Sequence, residues 1–288
     1  LPLRPPGTAV IDVVIEPGMS AQQVAHALVE AGVDTSAMWL FAWFRLSGQA
    51  RALKAGSYEI PAGTTPRALL DKLVRGEQAL RRLTLIEGWT VRQVLQAVRA
   101  AEALIDDLPP GDDPIALARH LGLSAEHAEG RFFPDTYLYP KRTPASRVLR
   151  QAAQAMDQRL ADAWAQRRAG LPLRNPDELL ILASLIEKET GLDADRPLVA
   201  AVFVNRLRLG MRLQTDPSVI YGLGERFDGD LRRRDLTTDT PYNTYTRAGL
   251  PPTPIALPGW ASLQAAAQPA DSRALYFVAR GDGSSVFS

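Results

Sequence analysis

The stretch LASLIEKETG, residues 182–191, places two glutamates two positions apart at the end of an apolar run. A carboxyl group can give a proton to a departing oxygen and take one back. To hold that proton near neutral pH it must sit where its charged form is disfavoured, so surroundings decide whether it can act. Further along, MRLQTDPSVIYG (211–222) offers Gln214, Asp216 and Tyr221, and TPYNTYTRAG (240–249) offers Tyr242, Asn243 and Tyr245. Amide and hydroxyl groups interleaved with aromatic rings suit a ligand that has both polar edges and an apolar face.

The helix that must carry the glutamates is readable. Asn175 is a cap, Pro176 suits the first helical position, Glu178 can close a capping box, and Gly191 marks the end. At about 100° per residue, Glu187 falls about 40° from Ala183 and about 20° from Leu180, on the apolar stripe, whereas Glu189 lies roughly 200° from Glu187. Burial and the partial negative charge of the helix C-terminus both favour a protonated Glu187, which makes it the expected acid. On this reading Glu189 and Lys188 are solvated. The competing reading makes Glu187 a buried structural carboxylate paired with Arg206 or Arg212. A second amphipathic helix, PLVAAVFVNRLRLG, follows, and Asp216 stands just ahead of Pro217 as a helix cap or a site residue. The proline-rich segment TPYNTYTRAGLPPTPIALPG reads as a rigid loop lining a cleft rather than a core element.

Composition narrows the chemistry. The 288 residues contain no cysteine and only three histidines, His26, His120 and His127, none close to these motifs. Thiolate chemistry, a multi-histidine metal site and a His-based triad are not expected, and no metal or cofactor is. A net charge of +1 gives no field of the kind that marks a nucleic-acid binder, and the clusters Arg81-Arg82 and Arg232–Arg234 read as solvated surface. A pyridoxal-type lyase would need a Schiff-base lysine, and Lys54, Lys72, Lys141 and Lys188 all lack a phosphate-binding setting. No apolar run approaches the roughly 20 residues of a membrane-spanning helix, and the proline-rich start does not read as a signal peptide.

The first hundred residues repeat one local unit. IEPGMSAQQVAHAL, IPAGTTPRALLDKL and IEGWTVRQVLQAV each run from a strand-like stretch through a glycine and a Ser or Thr cap into a helix, with Gln23 and Gln93 completing capping boxes. Between the first two copies, SAMWLFAWFRLSG predicts a helix whose Trp39, Phe41, Trp43 and Phe44 form core. Residues 1–8 read as a linker, 9–77 as a compact β-α-α-β module and 81–288 as a larger mixed α/β domain, an α+β chain as a whole. A helix is predicted over about 145–168, and FFPDTY reads as a turn between short extended pieces.

Four ordered motifs, ASLIEKET, FVNRLRLGMRLQTDPSVIYG, TPYNTYTRAGLPPTPIALPG and LYFVARGDG, together with EGWT and FFPDTY, resemble the endolytic murein transglycosylase (MltG/YceG-like) family over most of residues 81–288. The N-terminal module around LKAGSYEI resembles that family's LysM-like, glycan-binding subdomain. The resemblance implies a bacterial inner-membrane enzyme held by one N-terminal helix not contained in this sequence, with its catalytic domain in the periplasm. It would cut nascent peptidoglycan glycan strands internally, beside peptidoglycan synthases. The MurNAc–GlcNAc bond would open to a 1,6-anhydroMurNAc end with a single glutamate, carried over onto Glu187, while Gln214, Asp216, Tyr221, Asn243 and Tyr245 would bind substrate. One departure stands out: Ser285 lies where the family pattern has a histidine. The alternative of another class is a peptidoglycan-binding scaffold without catalysis.

Overall fold

A computed structural model of the chain describes residues 2–3, 7–280 and 285–288. The elements run β1 (Ile11–Ile15), α1 (Ala21–Glu30), α2 (Ala37–Leu46), β2 (Gly56–Ile60), α3 (Pro66–Arg75), β3 (Leu80–Thr84), α4 (Val91–Ala100), β4 (Leu104–Ile105) and α5 (Pro114–Leu121). They continue with β5 (Thr136–Pro140), β6 (Thr143–Pro144), α6 (Ala145–Ala165), α7 (Pro176–Glu189), α8 (Arg196–Arg208), α9 (Asp216–Leu223), α10 (Arg233–Thr237), α11 (Trp260–Ala267), β7 (Phe277–Ala279) and β8 (Ser285–Phe287). Among the described residues the strands pair only two by two: β1 with β2, β3 with β5, β4 with β6 and β7 with β8. Helices with small separate strand pairs make the chain a mixed helix-and-strand protein, as α+β implies. None of the described helices is long and apolar enough to cross a membrane.

Two compact units divide the chain, Leu1–Arg82 with Leu138–Thr143, and Leu83–Tyr137 with Pro144–Ser288. The short segment 138–143, read from sequence as part of the larger domain, packs with the first unit. Lys141 explains its placement, because its ammonium meets Asp12 at 2.9 Å and Glu59 at 2.8 Å. Arg81 also reaches Glu59, at 2.7 Å and half-buried, so this arginine is not plain solvated surface.

In the first unit β1 and β2 run antiparallel with Val13 opposite Tyr58. The repeated turn explains how each helix starts. Gly18, Gly63 and Gly88 take positive φ of 88°, 78° and 75°, a conformation that costs glycine little. Ser20 and Gln23 then exchange the two capping-box bonds, and the Thr65 hydroxyl accepts the Ala68 N–H at 3.2 Å. Leu28, Leu40, Phe44, Tyr58 and Leu69 are fully buried, each worth roughly 2 kcal/mol of apolar burial. The aromatic helix departs from expectation. Phe44 is core, but Trp39 is 46% exposed, stacked on Trp43 at 6.1 Å, and Met38 and Leu46 stand 81% and 86% exposed. Within the 1–8 segment, Leu3 is buried and its N–H donates to the Thr64 carbonyl at 2.7 Å, so this residue packs rather than links; Leu1 and residues 4–6 lie outside the described residues.

The second unit is built around α7, which packs against α6, α8, α9 and α11. Every residue from Leu179 to Ile186 is buried, so α7 has no solvent face along its middle. An all-round apolar helix of this kind belongs at the centre of a domain. Asn175 caps it as predicted, its Oδ1 accepting the Glu178 N–H at 3.0 Å. Glu178 does not close the box on Asn175, because its carboxylate accepts instead from the N–H and the guanidinium of Arg174. The proline-rich segment is only partly a cleft wall. Ile255, Ala256 and Leu257 are buried, and they carry this loop through the core beside α7.

Candidate active site

Both glutamates of EKET sit in the last turn of α7, and the fold gives them opposite surroundings. Glu187 faces the core as predicted, with its side chain 6% exposed. Its Oε2 accepts the Ser262 hydroxyl at 2.7 Å and the Gly259 N–H at 3.0 Å, both from the start of α11. Its Oε1 lies 3.6 Å from the guanidinium of buried Arg196, which also bonds Ser262 at 3.2 Å and pairs with Asp193. Arg196 takes the place that sequence reading offered to Arg206 or Arg212. Glu87, from the EGWT motif, comes close on the other side of Gly259, where an added Cβ would meet the Glu87 carboxylate at 1.8 Å. Burial, then the charge of Glu187, raises the Glu87 carboxyl above its usual range, and Arg196 opposes them. Glu187 is therefore one corner of a donor-rich buried network and lines none of the cavities described below.

Glu189, expected to be solvated, is largely buried. The Thr215 hydroxyl donates to its Oε1. It lines a cavity of about 190 Å³ together with Arg206, Gln214, Asp216 and Tyr245. Burial pushes its carboxyl up from an ordinary 4.5 to about 7; the Thr215 bond acts against the rise and the nearby charge of Asp216 adds to it. A carboxyl with that value is half protonated near neutral pH, the state required of a general acid.

The walls of this cavity are held from behind. Gln214 has a φ of 53°, the left-handed region that non-glycine residues seldom occupy. It is held there by its N–H on the Thr244 carbonyl at 3.2 Å and by Arg206, whose Nη1 donates to the Gln214 side-chain oxygen at 3.2 Å. Arg206 also donates to the carbonyls of Arg212, Leu213 and Leu275, and Arg212 to that of Tyr245. Both arginines thus serve the Glu189 cavity rather than Glu187. Thr215, not Asp216, is the residue before α9; Asp216 is its first helical residue and accepts the Tyr245 hydroxyl at 2.5 Å. Burial raises the Tyr245 hydroxyl, and the bond to Asp216 and its charge reinforce this.

Of the predicted substrate-binding residues, Gln214, Asp216 and Tyr245 come together around Glu189. Asn243 does not. It is wholly buried, donates to the carbonyls of Leu236 (3.1 Å) and Thr238 (2.7 Å), and accepts the Tyr245 N–H at 2.8 Å, so it shapes the loop and offers nothing to a ligand. Tyr221 lies in a different cavity, its hydroxyl donating to Glu129 at 3.0 Å. Ser285 donates its N–H to Asp195 at 3.0 Å, while the GDG of the last motif lies outside the described residues. A larger cavity, about 580 Å³, opens near the start of α7 between Arg174 and Pro252. Its Glu178 has no proton to offer, since burial is outweighed by hydrogen bonds and charge from Arg174 that hold it low.

Residues 13–288 match the profile of the YceG-like family. The chain belongs to that family. It is 30% identical over its whole length to a Bacillus subtilis (strain 168) protein named endolytic murein transglycosylase, covering 83% of that protein. It is 28% identical over 97% of its length to a protein of the same name from Streptococcus pneumoniae (strain D39), of which it spans 56%. Among solved structures, a yceG-like protein from Listeria monocytogenes matches with a TM-score of 0.61 and 29% identity, over 97% of this chain and 95% of that one. Family membership thus extends across both units, and the resemblance read in the EKET-to-LYFVARGDG motifs falls wholly inside the matched span.

Proposed function

We propose that this YceG-like chain is an endolytic lytic transglycosylase of peptidoglycan, with Glu189 rather than Glu187 as its acid and base. Support for the class comes from relatives named endolytic murein transglycosylase. One observation carries the residue assignment: Glu189 shares its cavity with Gln214, Asp216 and Tyr245 and is largely desolvated there, which lifts its carboxyl to about 7.

In the proposed reaction, protonated Glu189 donates to the oxygen joining MurNAc C1 to the following GlcNAc. As that bond breaks, positive charge develops on the muramyl ring. The carboxylate of Asp216 is the acidic part of the cavity wall, which Arg206 also lines, and it favours such a centre. Glu189, now ionised, takes the proton of the muramyl C6 hydroxyl, whose oxygen closes onto C1. The products are a 1,6-anhydroMurNAc end and a free GlcNAc 4-hydroxyl, and no water is consumed. Gln214, set by Arg206 and the Thr244 carbonyl, is the preorganised amide available to a sugar hydroxyl or N-acetyl group. We place the enzyme at the outer face of the bacterial inner membrane, where nascent strands and their synthases are found.

A second reading, a peptidoglycan-binding scaffold, draws on Trp39 of the first unit, half exposed and stacked on the partly buried Trp43, a ring surface of the kind sugars cover. Mass spectrometry of glycan strands treated with wild-type, Glu189→Gln and Glu187→Gln proteins separates the readings. Anhydro ends from wild type and Glu187→Gln but not from Glu189→Gln are expected. Reducing MurNAc ends would mean hydrolysis, uncut strands would favour the scaffold, and cutting by Glu189→Gln would return the role to another carboxyl.

A further inference from the structure

The second unit contains another cavity, about 370 Å³, that the proton-transfer scheme does not use. Its buried polar group is Glu129, 3% exposed, whose Oε1 accepts the Val91 N–H at 2.9 Å and whose Oε2 accepts the Tyr221 hydroxyl at 3.0 Å. Burial lifts this carboxyl to about 7 against those bonds. Tyr221 and Tyr242 meet edge to face at 4.8 Å, and the Tyr242 hydroxyl bonds that of Thr253 at 2.9 Å. Both rings are only partly buried and line the opening. Keeping an acid without a cationic partner in such a place costs stability, so its retention needs a use.

The two cavities share two walls. Helix α9 presents Asp216 to the Glu189 cavity and Ile220 and Tyr221 to this one, a separation of about 7.5 Å along the helix axis. The segment after Thr240 likewise gives Tyr245 to the first and Tyr242 to the second. An enzyme that cuts a polymer away from its ends must hold sugars on both sides of the broken bond. Resting on the glycan-cutting reading above, we propose that this second cavity is a saccharide subsite. It would hold a neighbouring N-acetylated sugar of the same strand, with the Tyr221 and Tyr242 rings against its apolar face and Glu129 hydrogen-bonded to its hydroxyls.

An acidic stem peptide fits less well. The cation at the rim, Arg92, is already bridged to Asp112 at 2.8 Å and Glu225 at 3.0 Å, and the interior group is itself a carboxyl. A carboxyl that accepts and can also donate, next to two rings, suits an uncharged polyol.

The test uses the full chain carrying Glu189→Gln, titrated calorimetrically with β-1,4-linked GlcNAc disaccharide and hexasaccharide. The hexasaccharide is expected to bind more tightly. Adding Tyr242→Ala should weaken the hexasaccharide about tenfold while leaving the disaccharide unchanged, and Tyr242→Phe should restore hexasaccharide binding to within about twofold. A variant-free readout accompanies it: the Tyr221 and Tyr242 ring resonances should shift as the hexasaccharide saturates. Equal loss for both ligands, no loss, or unmoved ring resonances overturn the subsite. Failure of the parent reading looks different, because wild-type protein would then leave glycan strands uncut whatever Tyr242 does.

Discussion

Glu187 and Glu189 are two residues apart on one helix, and the difference between their neighbourhoods is informative. Around Glu187 there are three donors, a hydroxyl, a backbone N–H and a buried guanidinium, with the Glu87 carboxylate on the other side of Gly259. Around Glu189 there is one hydroxyl, the like charge of Asp216 and an open cavity that Arg206 also lines. A buried carboxylate surrounded by donors holds elements together. One with a single donor, lining a cavity, is the carboxyl to which we assign proton transfer. Burial alone, the property the helical wheel predicts, does not separate them; the partners do.

The sharpest way to break this contrast is to neutralise each glutamate in turn. Glu189→Gln should lower the rate of strand cutting by about a thousandfold, within the range for loss of a general acid and base, with thermal unfolding nearly unchanged. Chromatographic quantification of anhydro-ended products against a melting curve checks both halves. Glu187→Gln should show the reverse, a stability loss of about 3 kcal/mol by urea titration, because the α11 start and Arg196 lose a buried carboxyl partner, with activity falling far less. If the two variants exchange these phenotypes, the assignment is inverted.

pH offers a second comparison, between the two carboxyls raised to about 7 and the rest of the unit. The folded values of Glu129 and Glu189, about 7, lie above an ordinary 4.5, so the native state binds protons more tightly than the unfolded chain. Their contribution to stability is fully present below about pH 4.5 and is lost as pH rises through about 7. For fully buried Glu129 the loss is roughly 3 kcal/mol, and Glu129→Gln should flatten the wild-type decline between pH 5 and 8 in urea melts by about that amount. Cutting activity should also fall as pH climbs past about 7, as Glu189 loses its proton.

The smallest expected effect concerns the wall of the Glu189 cavity. Tyr245→Phe removes the hydroxyl that Asp216 accepts, and should reduce kcat/KM about fivefold, roughly 1 kcal/mol, without altering the melt. A loss as large as that of Glu189→Gln would mean that Tyr245 itself takes part in proton transfer.

Local grammar carried much of the fold. The glycine-hydroxyl-helix units, the Asn175 cap and α6 with Val148, Ala152 and Met156 inward lie where periodicity and capping put them, and α8 is a helix as expected but is buried all round from Val199 to Val204 rather than on one side. Where reading failed, its premise was a single apolar stripe. LLILASLI covers the whole circumference of α7, so the 200° between the two glutamates turns each toward a different neighbour, not one toward water. That signal was available in the composition of the run. Nothing local announced that Asn243 would spend its amide on the carbonyls of Leu236 and Thr238, or that residues 138–143 would join the first unit.

The sequence by itself determined the repeated strand-to-helix units, the helices α6, α7 and α8 and the Asn175 cap, while α5, α10 and α11 carried no signal read from it. Only the tertiary structure decided which glutamate faces a cavity and which is tied to Arg196, Ser262 and Gly259. The reason is physical. Capping and periodicity act over a few neighbouring residues, whereas the protonation of a carboxyl depends on donors, charges and water brought near it from 26 residues away at Thr215 or 75 at Ser262.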